Sequence, residues 1–134
     1  MIRPMLATDV APLVEVQHQT FDDLARRINE APFELTPDTR ERLTARMAHL
    51  QASDPESAWA AEVDGELVGC ALALVRDGMW FLSLLMVKPG YQGKSIGREL
   101  LDASLTTSTD RSWILSTVEP AAVRRYQRAG FALH

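Results

Sequence analysis

Hydrophobic positions recur at two different periods along this chain, and the change of period divides it. In the first third, Val10, Leu13, Val14, Phe21, Leu24 and Ile28 fall at helical spacing, while Glu15, Gln19, Asp22, Asp23 and Arg26 occupy the other faces. The spacing predicts a helix preceded by a short strand over Ile2–Leu6, with Thr8 and Asp9 as its N-cap. Ala31-Pro32-Phe33 interrupts the pattern, so an irregular loop is expected over Asn29–Leu35. Thr36 then caps a second helix whose first position suits Pro37, with Leu43, Met47 and Leu50 along one side.

From Ser57 onward the period shortens. Ala58–Val63, Glu66–Arg76 and Met79–Val87 are extended-type runs separated by Asp64-Gly65 and Asp77-Gly78, the strongest short-range hairpin signal. The third run is apolar on both faces, which predicts a central strand with helices packed on both sides of its sheet. Pro89, Gly90 and Gly93 close that strand, and Ile96, Leu100, Leu101, Ala103 and Leu105 read as a helix running to a break at Thr106–Asp110. A further strand over Ser112–Val118, a helix entered at Pro120 and ended by Gly130, and a last fragment Phe131–His134 complete the order. The class expected is α/β (α+β), a mixed and mostly antiparallel central sheet with helices on both faces. With no repeat or linker, one domain over 1–134 is expected.

Composition narrows the function classes. At 134 residues, 46% hydrophobic and 24% charged, the chain is long enough to bury one core. Its formal net charge of -4 argues against a nucleic-acid partner, because no excess cation is available to neutralise phosphates. Cys70 is the one cysteine and lies in an apolar run, which points to a packing role in a reducing compartment. The longest apolar runs, Val68–Val75 and Met79–Val87, are far shorter than the roughly 20 residues of a membrane helix. No membrane, no metal and a cytoplasmic location are therefore expected.

The segment with chemical content is Val87-Lys88-Pro89-Gly90-Tyr91-Gln92-Gly93-Lys94-Ser95-Ile96-Gly97-Arg98, where a buried strand passes through a glycine-bearing turn into an amphipathic helix. Small residues let a ligand approach the backbone, and a helix N-terminus offers converging N–H groups with about half a positive charge. A pyrophosphate suits that arrangement, with Lys94 and Arg98 as added cations. Gly93-Lys94-Ser95 is not a Walker A loop, since Lys88 stands where its first glycine belongs. A dinucleotide fingerprint fails as well, because antiparallel-type strands precede the turn instead of a βαβ unit.

Gln92-Gly93-Lys94-Ser95-Ile96-Gly97 resembles the cofactor signature of the GNAT acetyltransferase superfamily: Gln or Arg, two residues, Gly, one residue, then Gly or Ala. A second element, Ala122-Val123-Arg124-Arg125-Tyr126-Gln127-Arg128-Ala129-Gly130-Phe131, is similar to the family helix ending in Tyr, three residues, Gly-Phe. The resemblance spans about Ile2 to Phe131. It implies acetyl-CoA or coenzyme A as co-substrate, with the backbone of Leu85, Met86 and Val87 pairing with the pantetheine arm. Gln92, Gly93, Lys94, Ser95, Ile96, Gly97 and Arg98 would cradle the pyrophosphate through main-chain N–H groups. Tyr126 falls where the family places a general acid beside the sulfur, and a strand N–H near Leu85 or Met86 would polarise the thioester carbonyl.

Three departures accompany the resemblance. Ser95 replaces the usual middle glycine and is strained if φ there is positive. Glu119 stands where many members have Asn; it is also a candidate base, its alternative being a charge that complements the helix dipole, while His18 and His49 read as surface or boundary residues. After Gly-Phe the family continues with a final strand, whereas this sequence reaches His134. That leaves a strand from a homodimer partner, a tandem-domain protein, or a shortened fold as open readings. The function expected is acetyl transfer to a small-molecule or peptide primary amine by direct attack in a ternary complex. The competing reading is a coenzyme-A-binding or interaction module without turnover. Asp22, Asp23, Glu30 and Glu34 either face a cationic acceptor or form a solvated acidic surface.

Overall fold

The computed structural model describes residues 1–32 and 34–105, together with a strand at 111–114. Phe33, the expected strand residues 115–118, Glu119, the Pro120–Gly130 helix with Tyr126, and Phe131–His134 lie outside the described residues.

Two Asp-Gly pairs set the centre of the fold. They join β2 (Ala58–Val63), β3 (Glu66–Arg76) and β4 (Met79–Val87), with the boundaries expected from the sequence. Both residues of each turn have positive φ, Asp64 at 51° and Gly65 at 79°, Asp77 at 53° and Gly78 at 72°, so the turn twist matches that of the strands. β1 (Ile2–Pro4) extends the sheet antiparallel to β2, and β5 (Arg111–Ile114) lies parallel to β4. The order is β1-β2-β3-β4-β5, a mixed and mostly antiparallel sheet.

Helices cover both faces. α1 (Val10–Arg27) and α2 (Pro37–Ser53) bury Leu13, Val14, Met47 and Leu50 against Cys70, Leu72 and Met86. α3 (Ile96–Ser104) buries Leu100 against Val68, Ala71 and Val87 on the other side. The alternation of Cys70 and Leu72 with Ala71 along β3 is the period of two that serves opposite faces. Cys70 is fully buried, which pushes its thiol up to about 12, and it acts as packing. Trp80 of β4 is 0% exposed, and its indole N–H donates to Ser104 O at 2.9 Å, fastening the central strand to the end of α3.

α2 starts as its sequence dictates: Thr36 Oγ1 accepts the Thr39 amide at 3.1 Å, and Pro37 takes the first helical position. α1 does not. Its Asp9 carboxylate caps no α1 amide; it accepts Leu6 N–H at 2.7 Å and both Arg3 Nη1 (2.7 Å) and Nη2 (3.0 Å). A hydrogen-bonded guanidinium across the first loop outcompetes the local cap and holds the buried Asp9 carboxyl below its ordinary range. Ile28, expected in the apolar stripe, is 45% exposed because the helix ends at Arg27.

Two bulges interrupt the ladders. On β3, Ala61↔Gly69 is followed by Glu62↔Leu67, which leaves Val68 as the extra residue. On β4, Leu72↔Leu84 is followed by Ala73↔Leu82, which leaves Ser83 extra. The second bulge inverts side-chain parity along the central strand. Before it, Trp80 and Leu82 face α3 with Leu101; after it, Leu85 takes that side while Leu84 and Met86 face α1 and α2.

Candidate cofactor and acceptor site

The turn expected to cradle phosphates is assembled at the end of β4. The Lys88 amide donates to Val68 O at 2.6 Å, Tyr91 N–H to Lys88 O at 3.0 Å, and Gln92 Nε2 to Val87 O at 2.8 Å. The signature glutamine thus folds back on the last strand carbonyl and fixes the exit angle of the chain. Glu66, at the start of β3, accepts Lys88 Nζ at 2.6 Å and the Tyr91 hydroxyl at 3.2 Å. Those two donors, Lys88 foremost, lower the Glu66 carboxyl, and the Tyr91 hydroxyl is raised because it donates to Glu66. This brace between β3 and the turn was not anticipated from the sequence.

Gly90 (φ 93°), Gly93 (φ 78°) and Ser95 (φ 67°) are left-handed, and Ser95 is the N-cap of α3 without a side-chain capping bond. Gln92, Gly93, Lys94 and Ser95 are exposed, and a Cβ built on Gly93 would meet nothing within 4 Å. The turn is therefore open to a ligand, and the first N–H groups of α3 have no intrahelical acceptors. Lys94 Nζ lies 5.8 Å from the Tyr91 ring centroid, where a cation is attracted to the ring face. Arg98 is exposed in the first turn beside Glu99, and Ile96 and Gly97 anchor the helix start, Ile96 against the α3-side core. All ten sequence-derived binding residues, Leu85 to Val87 and Gln92 to Arg98, thus lie on β4, its turn and the first turn of α3. Tyr126 lies outside the described residues.

Left-handed backbone at a non-glycine residue costs about 1–2 kcal/mol, offset in part by the smaller conformational entropy of serine in the unfolded chain. Ser95→Gly is accordingly expected to raise the unfolding free energy by about 0.5–1 kcal/mol in urea titrations. A loss of stability would show that the hydroxyl contributes more than the strain takes away.

Behind β4 lies the second feature. A cavity of about 220 Å³ opens between α1, α2 and the Ser83 bulge, on the face opposite α3. Arg46 Nη2 donates to Ser83 Oγ at 2.9 Å at its rim. Sequence reasoning missed it, although a lone polar residue inside the run Met79–Val87 was a usable signal for Ser83. β5 pairs with Met79–Leu82 only, and among the described residues no strand lies against the outer edge of Leu84–Val87. The β4–α3 turn on one face and the cavity on the other thus flank the Leu84–Val87 segment of β4. No group of three or more His, Cys, Asp or Glu able to hold a metal occurs among the described residues. No described helix is long and apolar enough to cross a membrane.

Comparison with known proteins places this arrangement. A protein from Pyrococcus horikoshii superposes with TM-score 0.75 at 19% identity over 98% of this chain and 43% of its own, so the present chain spans less than half of that relative. The PaiA N-acetyltransferase from Thermoplasma acidophilum, solved in complex with coenzyme A, gives TM-score 0.75 at 17% identity over 100% of this chain and 90% of its own. The ribosomal-protein-S18-alanine N-acetyltransferase from Escherichia coli gives 0.69 at 17% identity, over 98% and 77% respectively. At such identities the likeness is one of fold. No curated protein sequence matches the chain. The sequence itself matches the family model described as the acetyltransferase (GNAT) family over residues 21–131, from within α1 through the Gly130-Phe131 pair, and by that match the chain belongs to the GNAT acetyltransferases.

Proposed function

We propose that this chain binds acetyl-CoA on the β4–α3 turn and transfers its acetyl group to a primary amine by direct attack. The observation that carries the reading is the open left-handed turn at Gly93 and Ser95, set on the N-terminus of α3 at the exit of a bulged central strand. Such a turn directs amides and positive partial charge at a pyrophosphate. The backbone of Leu85, Met86 and Val87 would pair with the pantetheine arm as an added strand, and Gln92 to Arg98 would hold the phosphates. Structural neighbours solved with coenzyme A support the same reading.

The chemistry is a balanced acyl transfer. The amine nitrogen forms a bond to the thioester carbon, the C–S bond breaks, and the amine's proton ends on the released thiol. A strand N–H near Leu85 or Met86 would stabilise the developing oxyanion, and Tyr126 would protonate the departing sulfur. Coenzyme A at a hundredfold excess over its dissociation constant is expected to stabilise the chain by about 2.7 kcal/mol, visible as a rise in melting temperature. No rise would overturn the reading. A rise without thiol release from acetyl-CoA, across amino acids, polyamines, aminoglycosides and peptide N-termini, would favour a coenzyme-A-binding module without turnover.

A further inference from the structure

Among the described residues, every arginine on the two long helices has a carboxylate partner except one. Arg26 pairs with Asp22 and Arg27 with Asp23 along α1; Arg40 of α2 reaches Glu15 of α1, and Arg42 pairs with Asp38. Arg46 has no acidic partner among the described residues, and its one assigned bond is to the Ser83 hydroxyl. Arg46 is exposed, so most of its five N–H donors face solvent at the cavity rim, where a ligand could meet them. Among the described residues it is also the only charged one lining the cavity beside the β4 bulge, whose walls include Phe21, Leu43, Met47 and Leu84.

We propose that this cavity is the acceptor subsite and that it takes a small amine carrying a carboxylate and an apolar side chain, that is, an apolar α-amino acid. The inference rests on the acetyl-transfer reading above. Three observations favour that acceptor over a cationic one. Of the acids that could attract a polyamine, Asp22 and Asp23 are already paired with Arg26 and Arg27, Glu30 and Glu34 are exposed, and none of the four is among the described residues lining the cavity. The lining offers a guanidinium, whose planar fork matches a carboxylate in two parallel hydrogen bonds. The volume of about 220 Å³ is below the roughly 300–1,000 Å³ that drug-sized ligands occupy, which fits one amino acid better than an aminoglycoside.

Position agrees with chemistry. Ser83 holds Arg46 at the residue where the β4 ladder breaks, two residues before the segment proposed to bind the pantetheine arm. A carboxylate gripped there leaves the adjacent α-amine at the strand edge, able to form the C–N bond as the C–S bond of the thioester breaks and the proton passes to the thiol. The apolar side chain is then directed between Phe21, Leu43 and Met47.

The test compares L-leucine, L-methionine and L-phenylalanine with their C-terminal amides, in which a neutral amide replaces the carboxylate; because that change also lowers the basicity of the α-amine, binding is the decisive readout. Calorimetric titration into the full chain saturated with coenzyme A is run beside thiol release from acetyl-CoA. The free acids are expected to bind at least about tenfold more tightly than the amides, the discrimination of a hydrogen bond to a charged group. Arg46→Gln should abolish that difference by weakening the acids while leaving the amides unchanged, and Arg46→Lys should restore part of it. Equal handling of acids and amides by the wild type, or equal loss of both in Arg46→Gln, overturns the proposal. So does absence of binding by any of the six compounds; the coenzyme A melting shift in the same samples then tells whether acetyl-CoA recognition itself stands. Binding of the acids with no turnover upholds the carboxylate subsite and removes the acetyl-transfer reading instead.

Discussion

Gly69→Ala is expected to lower the unfolding free energy by about 2–3 kcal/mol and to weaken coenzyme A binding with it. Gly69 sits between Ala61 and Val87 in the sheet, next to the Val68 bulge. A Cβ there would lie 2.5 Å from Met86 O, and 3.3 Å from both Leu100 Cδ1 and Val87 Cα. Two of those three atoms are backbone, and Leu100 is 0% exposed, so no flexible side chain can retreat. The strand that must move is the one proposed to pair with the pantetheine arm. Stability and ligand affinity are therefore coupled at a residue that touches no ligand. Urea denaturation measures the first effect and the coenzyme A melting shift the second. A loss below about 1 kcal/mol would mean that β4 yields more easily than close packing allows.

β2, β3 and β4 were readable to the residue because Asp64-Gly65 and Asp77-Gly78 are local signals, each sufficient to place a two-residue turn. Thr36 and Pro37 announced α2 for the same reason. Asp9 misled because its partner, Arg3, lies across a loop, and a bidentate ion pair between residues six apart outranks the helix cap. The bulges at Val68 and Ser83 depend on the register between strands, which no single strand encodes. The turn proposed to hold phosphates was legible because the groups proposed to hold them are main-chain groups of one continuous segment, where glycine spacing is a direct record of backbone conformation. The cavity beside Ser83 was not, because α1, α2, β3 and β4 each supply part of its wall and only folding brings Arg46 to Ser83.

Tyr126→Phe is expected to lower kcat about 100-fold while leaving the melting temperature and the coenzyme A affinity unchanged. The size follows from the leaving group. A thiol titrates near 8.5, so its anion departs without extreme need of a proton, which puts the loss at the lower end of the 10²–10⁴ typical of general acids. Direction with pH separates a proton donor from a residue that merely packs. A phenol loses its proton near 10, so wild-type kcat should fall on the alkaline side as the donor is consumed. In the phenylalanine variant that limb should be missing, and the two profiles should converge as pH rises. A packing role predicts a different pattern: lower melting temperature, weaker cofactor binding and an alkaline limb that persists. Equal rates for both proteins at every pH would remove Tyr126 from the chemistry and leave the sulfur to be protonated by water.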